Sequence, residues 1–202
     1  MTTTPIIAAL CLWVAWFASW LLARDWSKPT LARPARGAQT LYTLVVDAGF
    51  LLMVAPVFRA LGPRLYALPA PVAWGLVAGA AAGFGVCWWA RLHLGGNWSW
   101  SVTLKEHHAI IDSGPYRLVR HPIYTGLIIA GACTTTLVAK TPSLAGYALM
   151  VAGLWIKAGL EERFLTRELG QDYVAYARRT AMLLPGVRWF SRPREYGATR
   201  RR

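Results

Sequence analysis

Charge is scarce in this chain, and acidic charge is scarcer. Only 15% of its 202 residues are charged, with 9 Asp and Glu against 22 Lys and Arg. Soluble domains carry about 25% charged and about 45–50% apolar residues. Here 55% is hydrophobic, which excludes an ordinary soluble globule and points to an integral membrane protein. Cysteine is nearly absent. Cys11, Cys87 and Cys133 fall inside apolar runs, read as small buried residues, and show no pairing spacing. His93, His107, His108 and His121 form no HExxH, and there is no CxxC, so no metal site is expected. No GxSxG nucleophile elbow and no phosphate-binding G-x-x-x-x-G-K-[ST] occurs. Gly83-Phe84-Gly85 lies within an apolar run, which removes a dinucleotide-fold reading. The opening MTTTP lacks a basic stretch, so a cleaved signal peptide is not expected.

What the chain has instead is long hydrophobic runs. Five predicted spans cover residues 5–23, 41–58, 71–90, 122–139 and 142–160. Each is long enough to cross about 30 Å of hydrocarbon as a helix. Within them the only charges are Asp47 and Lys157. Asp47 either pairs inside the bundle or lines a cavity. Arginine and lysine collect after the first, third and fifth runs: Arg24, Lys28, Arg33 and Arg36, then Arg91, Lys105, Arg117 and Arg120, then a tail that ends in arginines. Basic residues favour the cytoplasmic side. The expected topology therefore has the N-terminus outside and the C-terminus cytoplasmic. The net charge of +13 is then topology and attraction to the lipid surface, and nucleic acid is not an expected partner.

The expected fold class is all-α, a polytopic membrane protein of about five transmembrane helices with a cytoplasmic C-terminal amphipathic helix. Residues 1–190 form one domain, and 191–202 form a basic mobile tail. Gly75, Gly79 and Gly83 lie at i, i+4 and i+8, a face that lets a neighbouring backbone approach. It serves packing within the monomer or a dimer seam; nothing else indicates an oligomer. Residues 161–179 read as tail helices along the membrane surface, with Leu160, Phe164, Leu165 and Leu169 on one face and a break at Gly170.

Only Lys140 and Thr141 separate the fourth and fifth runs. The two helices must form a tight hairpin, which brings the residues before Pro122 beside those near Leu160. Arg120, His121 and Tyr124 thus meet Lys157, Glu161 and Glu162. Lys157 and Glu161, at i and i+4, share one helix face. A mixed-charge cluster over apolar walls suits a zwitterionic ligand with an apolar body. The plain alternatives are arginines bound to lipid phosphates, a snorkelling lysine, a histidine at a helix cap and a solvated acidic face.

At these residues the chain resembles the isoprenylcysteine carboxyl methyltransferase family and, more widely, the phospholipid N-methyltransferases. The matching stretches are Leu94–Ser99 (LGGNWS), His108–Tyr116 (HAIIDSGPY), Arg120–Gly126 (RHPIYTG), Glu161-Glu162, and Gly170–Tyr176 (GQDYVAY) leading to Leu184-Pro185-Gly186. The resemblance covers about the C-terminal half. It implies an S-adenosylmethionine site on the cytoplasmic side, with S-adenosylhomocysteine as product. The implied cofactor-binding positions are Ser101, His108, Ala109, Ile110, Ile111, Tyr116, His121, Pro122, Ile123, Tyr124 and Glu161. Where the family carries an arginine for the substrate carboxylate, this chain has Lys157, which keeps the charge but loses the bidentate fork. Arg120 and Glu162 are the further candidates for positioning the acceptor. Glu161 would meet the cofactor's ammonium, and Arg120, His121 or backbone N–H groups at the start of the fourth span would meet its carboxylate, where a helix N-terminus also favours an anion.

The reading that follows is a membrane methyltransferase acting on a small lipophilic acceptor that enters from membrane lipid, by carboxylate O-methylation or thiol methylation. A phospholipid amine N-methyltransferase is the second reading. An NADPH-dependent membrane reductase of the sterol type is a third, against which the acidic pair at the mouth argues. A non-enzymatic membrane scaffold is the fourth.

Overall fold

The structure is a computed structural model that describes residues 3–26, 30–32, 36–58, 61–98, 104–105 and 110–187. Six α-helices make up most of it: α1 (Thr3–Leu22), α2 (Arg36–Phe58), α3 (Ala70–Leu94), α4 (Pro122–Val138), α5 (Thr141–Leu169) and α6 (Gln171–Arg179). Two short strands, β1 (Thr30–Ala32) and β2 (Leu104–Lys105), pair antiparallel. This small ribbon is an addition to the expected all-helical plan. The expected basic tail at 191–202 lies outside the described residues.

Among the described residues, four helical stretches are long and apolar enough to cross a membrane: Thr3–Leu22, Gln39–Val57, Ala70–Asn97 and Thr141–Leu169. The remaining predicted span, α4, has only 17 residues, about 25 Å at 1.5 Å per residue. The chain enters α4 through Pro122, whose missing N–H costs nothing in a first turn. It leaves at Ala139 in the left-handed region, with φ 55°.

One boundary differs from expectation. The fifth span and the first tail helix are a single helix of 29 residues. Nothing between Leu160 and Leu169 breaks it, and its Leu160, Phe164 and Leu165 pack around Tyr42 of α2. Gly170, at φ 60°, ends the helix. Only α6 is then a separate amphipathic piece.

Two glycine seams set the helix spacing. Along α2 and α5 the close approaches pair Gly49 with Met150 and Gly153 with Val46. A Cβ on Gly153 would lie 2.7 Å from a Val46 methyl, and one on Gly49 2.8 Å from the Met150 Cα. Along α3 and α4 a Cβ on Gly83 would lie 2.6 Å from the Gly126 carbonyl oxygen, and one on Gly79 2.8 Å from the Cys133 sulfur. Side chains there would force the backbones apart. Gly79 and Gly83 thus pack within the monomer, while Gly75 faces open space.

Side chains tie the helices further. Trp13 Nε1 donates to Thr134 Oγ1 at 3.0 Å, linking α1 to α4 inside the core. Arg91 is 1% exposed. It donates to the carbonyls of Ala23 at 2.8 Å and Gly95 at 2.7 Å. Its guanidinium lies 4.4 Å from the centroid of Trp98, a cation–π contact. This knot fixes the turn at Gly95–Asn97 beside the ends of α1 and α3.

Candidate functional site

The site grows from the start of α4. The segment after α6 is strapped to it by backbone bonds: Arg120 N–H to the Ala181 carbonyl at 2.8 Å and His121 N–H to that of Met182 at 3.1 Å. Thr125 Oγ1 adds a bond to the Leu183 carbonyl at 2.6 Å. Tyr176 donates its hydroxyl to the Tyr116 carbonyl at 2.7 Å. Residues 112–125 and 171–183 therefore form one bracket across the end of the α4–α5 hairpin.

Inside that bracket Glu162 is saturated. Arg120 grips it with both arms, Nε to Oε1 at 2.8 Å and Nη2 to Oε2 at 2.7 Å. His121 Nε2 donates to Oε1 at 2.8 Å, and the Tyr173 hydroxyl donates to the same oxygen at 2.9 Å. A carboxylate only accepts, so His121 carries its proton on Nε2 in this bond. Arg120 also donates Nη1 to the carbonyls of Ala177 and Thr180. Its fork is thus spent on α5, α6 and the strap. Burial pushes the phenols of Tyr116, Tyr173 and Tyr176 above their ordinary value, with nearby carboxylates adding to the effect. Each stays a neutral hydrogen-bond donor at ordinary pH.

Glu161, one residue earlier, is used differently. Its Oε2 accepts from the Tyr124 hydroxyl at 2.8 Å and lies 3.6 Å from His121 Nδ1. Its side chain stays 28% exposed and lines the cavity. The His121 and Tyr124 rings stack at 5.3 Å and 4°, which squares both polar groups to the carboxylate. Lys157, one turn away on α5, holds its ammonium 5.2 Å from the Tyr124 ring centroid and 5.4 Å from that of Tyr42.

These groups face a cavity of about 850 Å³. Ligand sites run to about 300–1,000 Å³, so the space is at the upper end. One end is polar, with Tyr116, His121, Tyr124, Lys157 and Glu161, and with Asp47 from α2. The other is apolar and aromatic, built by Trp13 and Trp16 of α1, Phe50 of α2, and Met150 and Leu154 of α5.

Most predicted positions converge on this space. Ile110, Ile111 and Tyr116 line it from the loop before α4. Arg120, His121, Pro122, Ile123 and Tyr124 line it from the start of α4, and Lys157 and Glu161 from α5. Glu162 is drawn away behind Arg120. Ser101, His108 and Ala109 lie outside the described residues. Sequence reasoning missed the wall made by α1 and α2. Its signal was the aromatic stripe Trp13, Trp16, Phe17 and Trp20 at i, i+3, i+4 and i+7, which turns one helix face to the cavity. Asn97 and Trp16 were also missed. Asn97 Oδ1 and Trp16 Nε1 are buried without a hydrogen-bond partner among the described residues, and both residues line the cavity. No group of three or more His, Cys, Asp or Glu among the described residues could hold a metal ion.

Residues 76–167 match the isoprenylcysteine carboxyl methyltransferase (ICMT) family. The chain is 32% identical over 87 residues to protein-S-isoprenylcysteine O-methyltransferase A of Arabidopsis thaliana, which is 43% of this chain and 44% of that protein. It is 34% identical over 87 residues to methanethiol S-methyltransferase of a Pseudomonas strain, 43% of this chain and 33% of that one. It is 30% identical over 101 residues to the cobalt-zinc-cadmium resistance protein CzcN of Cupriavidus metallidurans, covering 48% and 41%. The matched stretch thus spans less than half the length of these relatives.

Proposed function

We propose that this chain, whose residues 76–167 belong to the ICMT family, is an integral membrane methyltransferase that takes its methyl group from S-adenosylmethionine. The observation that carries the reading is the unequal use of the acidic pair. Glu162 is closed by four hydrogen bonds, while Glu161 keeps one firm bond and turns its charge to the cavity.

The residues suit this cofactor. Glu161 offers an anion to the α-ammonium. The start of α4, with Pro122 and Ile123 in its first turn, offers helix N–H groups and the positive dipole end to the carboxylate. Tyr116, Ile110 and Ile111 wall the same end. Asn97, whose Oδ1 has no hydrogen-bond partner among the described residues, lines the cavity beside Trp98. Ser101, His108 and Ala109 complete the set that the family resemblance implies. When bound, the cofactor supplies an electrophilic methyl on a sulfonium. The protein's share is positioning and the exclusion of water, which together supply much of the acceleration of a displacement.

The acceptor is a lipophilic molecule with an anionic or thiol nucleophile, entering from membrane lipid. Aromatic walls take its apolar body, and the Lys157 ammonium, held between Tyr42 and Tyr124, faces the nucleophile. In this reading α4 is the fifth crossing, with the N-terminus outside. Helix α6, the strap and the cofactor end of the cavity lie in the cytoplasm, where the basic loops collect.

Calorimetric titration of detergent-purified protein with S-adenosylhomocysteine, run beside NADPH, tests this. Saturable binding of S-adenosylhomocysteine alone is expected. Binding of NADPH alone would move the protein to the reductases, and binding of neither by folded protein would leave a scaffold.

A further inference from the structure

Asp47 is the only charged residue in the apolar stretch Gln39–Val57 of α2. Charge at membrane depth is expensive and marks function by default. The residue lines the cavity and lies within electrostatic reach of the Lys157 ammonium, as Glu161 does. The α2–α5 seam holds it there. Gly153 lets the Val46 backbone nitrogen come within 3.0 Å of where its Cβ would be, one turn of α5 before Lys157. Asp47 and Lys157 thus stand on facing helices at the polar end of the cavity. An acceptor with its apolar body in the aromatic chamber would present its nucleophile to this end.

We propose that Asp47 is the proton acceptor for the methyl acceptor and that the acceptor is therefore a protic nucleophile, a lipophilic thiol. This rests on the methyltransferase reading above. A carboxylate needs no base and is repelled by a second carboxylate in the wall. A thiol must lose a proton as it attacks, and the Lys157 ammonium stabilises the charge that develops on sulfur. The acceptor S–H bond breaks and the proton passes to an Asp47 carboxylate oxygen. The freed sulfur pair forms the new S–CH₃ bond as the methyl–sulfonium bond breaks. That bond's electrons stay on the departing thioether, and the proton reaches water when the product leaves. Asp47 lies outside the family-matched residues 76–167.

The probes are 1-octanethiol and octanoate, tested on wild type, Asp47→Asn and Asp47→Glu. Methyl transfer from labelled S-adenosylmethionine is followed from pH 6.5 to about 9.5, where thiols begin to ionise unaided. With octanethiol at pH 7, Asp47→Asn is expected to lose at least about tenfold in kcat/KM, at the low end of what a general base supplies. The gap closes as pH rises, and Asp47→Glu recovers part of the rate. A second readout is binding without turnover. Tryptophan fluorescence of protein loaded with S-adenosylhomocysteine should show octanoate binding at least about threefold tighter to Asp47→Asn than to wild type, with octanethiol affinity unchanged. An equal loss at every pH, or no loss at pH 7, overturns the proposal. So does a wild type that binds S-adenosylhomocysteine but does not turn over octanethiol. Failure to bind S-adenosylhomocysteine at all overturns the underlying reading instead.

Discussion

Glu161 and Glu162 are the same residue type on the same turn of α5, yet they belong to two different regions. Glu162 faces the bracket, where Arg120, His121 and Tyr173 complete its hydrogen bonding. Glu161 faces the cavity, held by Tyr124 and neighboured by His121 and Lys157. A buried charge that is fully paired is inert toward ligands and critical to its surroundings. One that is only oriented has its charge left to offer. The pair teaches that role follows from what is already satisfied, not from residue identity or proximity to a pocket.

The largest effect expected from this contrast is on the closed side. Arg120→Ala leaves Glu162 without its bidentate partner and removes two bonds to the carbonyls that hold α6. Breaking a buried pair from one side costs about 3–5 kcal/mol. We expect a drop of that order in unfolding free energy, read by thermal or denaturant unfolding in detergent. A stable Arg120→Ala protein with only a changed acceptor preference would return Arg120 to the acceptor-positioning role that sequence alone suggested.

On the open side the expectation reverses. Glu161→Gln keeps an oxygen for the Tyr124 hydroxyl and removes only the charge. Unfolding should move by less than about 1 kcal/mol, the worth of an ordinary hydrogen bond. Affinity for S-adenosylhomocysteine should fall roughly 10- to 150-fold, since bonds to a charged group are worth about 1.5–3 kcal/mol. Calorimetry on a sample with an unchanged melting profile separates the two quantities. An intact affinity would remove Glu161 from the cofactor site.

Much of this was legible in sequence. The two-residue link at Lys140-Thr141 required the hairpin, and the hairpin required Arg120, His121 and Tyr124 to meet Lys157, Glu161 and Glu162. Apolar run length foretold the four long helices. What was not legible depends on partners that leave no local pattern. The strap at 180–183 is held largely by backbone bonds, which any side chain permits. Helix α5 continues past Leu160 because Tyr42, more than a hundred residues away, packs against that face. The strands β1 and β2 are too short for an alternating pattern to register. The family resemblance gave Glu161 to the cofactor and Glu162 to acceptor positioning, but the closing of Glu162 was not legible, because it lies in Tyr173 and Arg120 reaching one glutamate and not the other.

The smallest effect sharpens the comparison most. Tyr173→Phe removes one of the four donors to Glu162, but Oε1 keeps Arg120 Nε and His121 Nε2. No acceptor is orphaned, so the cost should be about 1–2 kcal/mol rather than that of a broken pair. Its pH dependence is specific. Burial, and then the adjoining Glu162 charge, holds the Tyr173 phenol well above its ordinary value. For an acid raised in the folded state, the stabilisation is fully present below the unfolded pKa, about 10 for tyrosine, and declines as pH climbs from there toward the native value. The wild-type advantage over Tyr173→Phe should therefore be constant from pH 6 to about 9 and shrink above about 10. Because Tyr173 also lines the cavity, the same variant asks whether closing Glu162 serves the ligand. S-adenosylhomocysteine affinity within about threefold of wild type keeps the two regions separate. A loss as large as that of Glu161→Gln would mean that the bracket and the cavity act as one site, and that the saturated glutamate positions the other through His121.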